Sequence, residues 1–195
     1  MTSNAKEPTL LLMRTFFALD LTPAAKLEIA TWRERSFREL ATGGMARPVH
    51  PGNFHITLAF VGDVTEQKLE RLCDSVEQWL ARESPAGAVL VFDELGYWQR
   101  QGILWLGLKQ CPAQLSRLAN RLKGLGTRVG GKRDNKAFQP HITLFRRCQS
   151  APPPPLEAPE FSLDYGHFAL FESRQGKRGV SYHALQHWQL RNAEQ

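Results

Sequence analysis

The chain has 195 residues, 42% of them hydrophobic and 23% charged, which excludes wholesale disorder and suffices for one domain or one domain with two lobes. A formal net charge of +6 points toward an anionic partner such as nucleic acid or phosphate, although charge alone fits a mildly basic protein equally well. Its three cysteines, Cys73, Cys111 and Cys148, are odd in number and far apart, without a CxxC pair, so a disulfide framework and a zinc cluster are not expected.

In chain order, residues 1–9 read as a flexible tail and residues 10–195 as a single bilobal domain. Leu10 to Leu21 is apolar but interrupted by Arg14 and Asp20. It is too short to span a bilayer and lacks a cleavage site, so a soluble cytoplasmic protein without membrane association is expected. Arg14 to Leu21 reads as a buried strand. Thr22 and Pro23 then start a helix that places Ala25, Ile29, Trp32, Ser36 and Leu40 on one face and stops at Gly43-Gly44. Arg47 to His50 reads as a short strand before a Pro51-Gly52 turn. Phe54 to Val61 reads as a strand and Gly62-Asp63 as a turn. Thr65 caps a helix with Leu69, Leu72, Cys73, Val76 and Leu80 at helical spacing, and Ser84 to Gly87 is a break.

Val89 to Leu95 and Ile103 to Leu108 read as strands joined by a loop. Pro112 opens a helix with Leu115, Leu118, Ala119, Leu122 and Leu125 on its apolar side. Gly126 to Lys136 reads as a mobile basic loop and Pro140 to Phe145 as a strand. Ala151 to Pro159 is an extended proline-rich connection. Phe161 to Phe171 and Ser181 to Leu190 are closing strands linked by the basic segment Ser173 to Gly179. Strands that follow one another by short turns favour a mixed, mostly antiparallel α+β protein over a doubly wound parallel sheet.

The most informative feature is a repeat. His55-Ile56-Thr57-Leu58 and His141-Ile142-Thr143-Leu144 are identical, and each falls in a predicted strand. Strand alternation sends His55 and Thr57 to one face and Ile56 and Leu58 to the other; the same holds for His141 and Thr143. Side by side, the two strands make a cleft with two imidazoles and two hydroxyls. A phosphodiester needs a base to activate water and an acid to protonate the leaving oxygen, and histidine, with a pKa of about 6.5, serves as either. Hydroxyls aimed at the non-bridging oxygens supply transition-state hydrogen bonds worth about 3 kcal/mol each. A lone strand histidine is more often structural; two identical motifs are far harder to ascribe to chance. No third ligand accompanies either histidine at zinc spacing, and neither a metal nor another cofactor is expected.

At these residues the chain resembles the two-histidine (2H) phosphoesterase superfamily, and within it the bacterial RNA 2′,3′-cyclic phosphodiesterases, also called 2′-5′ RNA ligases. The likeness runs from Arg14 to Leu190 and includes RTFFALDL, GNFHITLAFVGDV, ILWLGL, FQPHITLFR and Tyr182. It implies a bilobal fold of two mostly antiparallel sheets with helices outside, pseudo-two-fold symmetric about a central cleft. It implies hydrolysis of a terminal RNA 2′,3′-cyclic phosphate to a 2′-phosphate, with His55 as proton donor, His141 as proton acceptor, and Thr57 and Thr143 on the phosphate. The residues themselves require two histidines in opposite roles but do not say which is which. Arg146 matches an arginine common after the second motif. Strict alternation puts it on the face opposite His141, so it reaches a phosphate only if the strand ends or bulges near Phe145; a solvated strand-end charge is an equal alternative. Phe54 and Phe145 depart from the aliphatic or small residues usual at their positions.

The implied partner is RNA with a 2′,3′-cyclic phosphate end, tRNA fragments among the candidates, and a monomer is the default. Two rivals remain: the reverse joining reaction of a 2′-5′ RNA ligase, and a non-catalytic nucleotide-binding module. Phe16 or Phe17 is a candidate base-stacking ring, with core packing as the simpler role. Tyr182 is a candidate for the border of the site, with an ordinary sheet tyrosine as the default. His183 and His187 are read as sharing a strand face without being ligands, and His50 and His167 as lacking recognisable partners. Lys132, Arg133 and Lys136 are candidate backbone guides for RNA, or simply solvated.

Overall fold

A computed structural model describes residues 11–131, 137–177 and 179–192. The tail and the candidate RNA guides Lys132, Arg133 and Lys136 therefore lie outside the described residues. The first strand, β1 (Met13–Asp20), has five consecutive buried residues, as expected of a strand covered on both faces. Thr22 caps α1 (Pro23–Ser36), its hydroxyl accepting the Ala25 N–H at 3.2 Å. The predicted helix does not run unbroken to Gly43. Phe37, at φ −134°, leaves helical space and separates α1 from a short α2 (Arg38–Thr42). Its ring is buried edge-on against Trp32 and Phe145, which holds the kink.

After β2 (Arg47–Pro48), a 3-10 turn at Pro51–Asn53 is capped by His50, whose Nδ1 accepts the Gly52 N–H at 3.1 Å. That gives His50 a partner which the sequence did not reveal. The next strand, β3 (His55–Val64), runs through the expected Gly62-Asp63 turn. Gly62 has φ +95° and sits at a bulge that leaves Val61 without a partner on β1, so the strand continues. Thr65 caps α3 (Glu66–Glu83) as expected.

The predicted strand Val89 to Leu95 is two strands, β4 (Ala88–Phe92) and β5 (Glu94–Trp98), which belong to different sheets. Asp93 makes the break: its N–H donates to the Gly107 carbonyl and its carboxylate accepts the Lys109 N–H. There follow β6 (Ile103–Gly107), α4 (Ala113–Arg128) and β7 (His141–Arg146). The loop expected from Gly126 starts later, because α4 keeps its helix to Arg128. The predicted strand Phe161 to Phe171 divides at Gly166 into β8 (Phe161–Tyr165) and β9 (His167–Gly176). With β10 (Gly179–Gln189), β9 forms a long hairpin, so Ser173 to Gly176 is paired strand rather than linker.

Two four-stranded sheets, ordered β10-β9-β1-β3 and β2-β7-β6-β5, carry the site, and a ribbon pairs β4 with β8. The pairings in all three are antiparallel. The motif strands β3 and β7 run beside each other at the junction of the two sheets. One apolar core, including Phe17, Ile56, Ile142, Leu144 and Phe145, passes through both sheets. A second, smaller cluster of Phe16, Ala18, Ala169 and Phe171, with Tyr182 against it, covers the other face of the first sheet. No helix among the described residues is long and apolar enough to cross a membrane.

Candidate active site

The two motifs share one anchoring hydrogen bond. His55 Nδ1 donates to the carbonyl of Asn53 at 2.7 Å, and His141 Nδ1 donates to the carbonyl of Gln139 at 2.8 Å. A carbonyl oxygen only accepts, so Nδ1 carries the proton in each neutral ring and Nε2 is left with its lone pair. The partner lies two residues upstream in both cases, at the strand entrance. His55 Nε2 also lies 3.1 Å from Thr57 Oγ1, the histidine-hydroxyl pairing that alternation predicts. Both histidines and both threonines are half-buried, while Ile56, Leu58, Ile142 and Leu144 are sealed in the core.

Each imidazole also meets an aromatic edge. Tyr182 approaches His55 edge-on at 4.7 Å between ring centroids, and Trp98 approaches His141 at 4.6 Å. Phe16 and Trp105 stand behind, at 5.2 Å and 6.2 Å. Of these rings, Phe16 and Tyr182 were candidates for the site, with core or sheet packing as the simpler role. Phe17 instead faces the core against Phe168 and Trp188. Trp98 and Trp105 were not foreseen: Trp98 fell in a presumed loop, and Trp105 in an apolar strand with no local mark of function. The Trp105 ring lies flat across Gly96 and Gly107, where any Cβ would overlap it.

Arg146 reaches the site through a β-bulge. Leu104 pairs with Phe145 and Trp105 pairs with Thr143, so Leu144 has no partner on β6. Leu144 and Phe145 are consecutive yet both fully buried, and the face order is reset. Arg146 then shares the histidine side, and Arg147, at φ 57°, turns the chain away and ends the strand. The same device occurs in β3, where Leu58 is skipped and Phe60 takes the position that Arg146 has in β7. Phe60 is 66% exposed, 6.1 Å from Phe16.

The electrostatics join the two motifs. His55 is pushed down to about 4, chiefly by burial and further by the charges of His141 and Arg146; the Asn53 carbonyl and Asp20 oppose this. Asp20 is engaged by Lys26 at 2.7 Å. His141 is also lowered, first by burial and then by Arg146, against the Gln139 carbonyl. Arg146 thus acts on both rings, and burial with its charge favours the neutral form of each. An arriving phosphate would offset Arg146 and raise the proton affinity of both.

The other histidines stay apart from this chemistry. A bulge at Leu185 sends His183 and His187 to opposite faces of β10, opposite Glu172 and Ala169, which corrects the expectation of a shared face. His183 instead contacts the Ser181 hydroxyl, and His167 lies against His187 at 6.3 Å between centroids. Among the described residues no group of three or more His, Cys, Asp or Glu side chains is placed to hold a metal ion.

Comparison with known proteins agrees with this architecture. The family model "LigT like Phosphoesterase" matches twice, over residues 19–105 and 106–182, so each match contains one HITL strand. The RNA 2′,3′-cyclic phosphodiesterase of Escherichia coli is 34% identical over 177 residues, covering 91% of this chain and 96% of that protein. The RNA 2′,3′-cyclic phosphodiesterase of Thermus thermophilus is 32% identical over 194 residues, covering 92% of this chain and 91% of that protein. The crystal structure of E. coli LigT complexed with 3′-AMP superposes with a TM-score of 0.78 at 34% identity, over 92% of this chain and 99% of that one. With two family matches, one per motif, on a shared bilobal α+β frame, the chain belongs to the LigT-like phosphoesterase family.

Proposed function

We propose that this protein is an RNA 2′,3′-cyclic phosphodiesterase that opens a terminal cyclic phosphate to a 2′-phosphomonoester by metal-independent two-histidine acid-base catalysis. The observation that carries this reading is the matched pair of imidazoles, each fixed through Nδ1 and presenting Nε2, with Arg146 acting on both. The cyclic ester carries one negative charge, which Arg146, Thr57 and Thr143 hold. His141 Nε2 takes a proton from water as its oxygen bonds to phosphorus. His55 Nε2–H gives a proton to the departing 3′ oxygen. The products are a 2′-phosphate and a free 3′-hydroxyl, and the two rings have exchanged protonation states. The assignment of donor and acceptor follows the family resemblance. Attack and departure occur on opposite sides of phosphorus, which suits rings delivered by two different sheets.

The substrate class follows the relatives, which carry the cyclic phosphodiesterase name; the E. coli protein has been crystallised with 3′-AMP. The bilobal domain acts as one unit, as a soluble cytoplasmic monomer with tRNA fragments among its substrates. Chromatography of a short oligonucleotide ending in a 2′,3′-cyclic phosphate tests the reaction and the product isomer together. Conversion to the 2′-phosphate in excess chelator is expected. A strict requirement for added divalent metal, or a 3′-phosphate product, would refute the mechanism. Adding RNA that ends in a 5′-hydroxyl measures joining against hydrolysis, and dominant joining would favour the ligase reading. Binding without turnover would favour the non-catalytic module.

A further inference from the structure

One buried charge has no part in the acid-base scheme. Arg33, on α1, is 3% exposed, and its side chain reaches the junction between the motif strands. Its Nη1 donates to the carbonyls of Val49 and Leu144. Leu144 is the residue skipped at the β7 bulge, and its carbonyl also accepts the Val49 N–H at 3.0 Å. The guanidinium lies over Phe54 at 5.3 Å and over Phe145 at 5.4 Å to the ring centroids. Phe54 immediately precedes His55, and Phe145 immediately precedes Arg146. The two rings, one beside each motif, thus form one aromatic clamp on one cation.

We propose that Arg33 is a positioning residue: held between Phe54 and Phe145 and bonded to the bulge carbonyl, it fixes the two motif strands against each other and turns Arg146 into the cleft. The inference rests on reading Arg146 as the phosphate-binding arginine. Stability alone does not account for a buried cation here. Among the described residues its one ion-pair partner is Glu34, 3.7 Å away and exposed, and Arg33 Nε has no hydrogen-bond partner there. Replacing such a buried charge by an apolar side chain of similar volume is often neutral or stabilising. The Leu144 carbonyl keeps its Val49 bond without Arg33, so the fold has a way to survive that replacement.

The test is a cycle of Arg33→Met, Arg146→Ala and the double variant, in the full-length protein. Three quantities are measured: the titration of His55 and His141 by ring NMR without ligand, affinity for inorganic phosphate, and kcat/KM on a cyclic-phosphate dinucleotide. Arg33→Met should raise the titration of both histidines, as Arg146→Ala does, and weaken phosphate binding. The double variant should fall short of the product of the two single losses by roughly 2- to 150-fold, the range for residues acting through one network. Unchanged histidine titration with multiplicative losses would overturn the proposal and leave Arg33 a packing residue. Should Arg33→Met not fold, Phe54→Leu with Phe145→Leu removes the clamp while keeping the hydrogen bonds, and the same readouts decide. Titration and phosphate binding need no turnover, so a protein inert toward cyclic RNA ends would sink the proposed function and still leave Arg33 testable.

Discussion

At the scale of single residues, the site turns on which ring nitrogen is free. Because Nδ1 is committed to a carbonyl in both His55 and His141, each can exchange a proton only through Nε2. His55→Ala or His141→Ala should each lower turnover by roughly 10²–10⁴-fold, as measured by initial rates on the cyclic-phosphate oligonucleotide. Retained activity in either variant would mean that the site is elsewhere. The pH profile has a definite sign. Both histidines sit below the ordinary imidazole value, His55 at about 4. The one-proton form of the pair therefore peaks on the acid side, and kcat/KM should trace a bell centred below about pH 6.5. Removing Arg146 deletes a cause that lowers both rings, so both limbs should move to higher pH. Stability follows the same linkage. The unfolded chain binds a proton that folded His55 refuses between its unfolded value and about 4. His55 thus destabilises the fold progressively as pH falls through that window, a trend thermal unfolding would register and His55→Ala should flatten.

At the scale of the element, β-bulges decide which side chains meet. Without the bulge at Leu144, alternation would leave Arg146 on the face opposite His141; with it, Arg146 and Thr143 share a side. The parallel bulge at Leu58 brings Phe60 to the corresponding place in the other motif strand. The second sheet adds a close-packed support: Trp105 lies behind His141, and Gly96, its direct partner across the β5–β6 ladder, leaves room for the ring. Gly96→Ala should therefore cost about 1–3 kcal/mol of stability, as overpacking does, and should also slow catalysis because Trp105 must shift beside His141. Denaturant unfolding and kcat check the two parts. Full activity with full stability would show that the indole has other space to occupy.

At the scale of the whole molecule, the chain is two related halves whose sheets do not follow the division in sequence. The family matches meet at residues 105 and 106, yet the first sheet takes β9 and β10 from the end of the chain, and the second takes β2 and β5 from the first half. The halves have also diverged in what they offer the cleft: one ends its motif strand in a cation, Arg146, and the other carries an exposed ring, Phe60, at the matching place. The two motif strands therefore present a cation at one place and an exposed ring at the matching one. That asymmetry would suit the proposed substrate, with a phosphate at one end and a base at the other.

The sequence by itself determined the candidate site: two identical HITL tetrapeptides on strands, each placing an imidazole and a hydroxyl on one face, because strand alternation is local and reads directly from residue spacing. It also settled the α+β class and the capped helix starts at Thr22 and Thr65, which depend on near neighbours alone. Only the tertiary structure decided the strand breaks at Asp93 and Gly166, the route of Arg146 into the cleft, the rings of Trp98 and Trp105, and the place of Arg33. Arg33 did carry a signal, standing four residues after Ile29 on the buried face of α1, but a cation at that spacing more often marks the rim of a helix. Bulges and split strands are set by which distant strand supplies the hydrogen bonds, and a buried charge is tolerable only where remote carbonyls and rings converge on it. Neither condition can be read from a residue's neighbours in the chain.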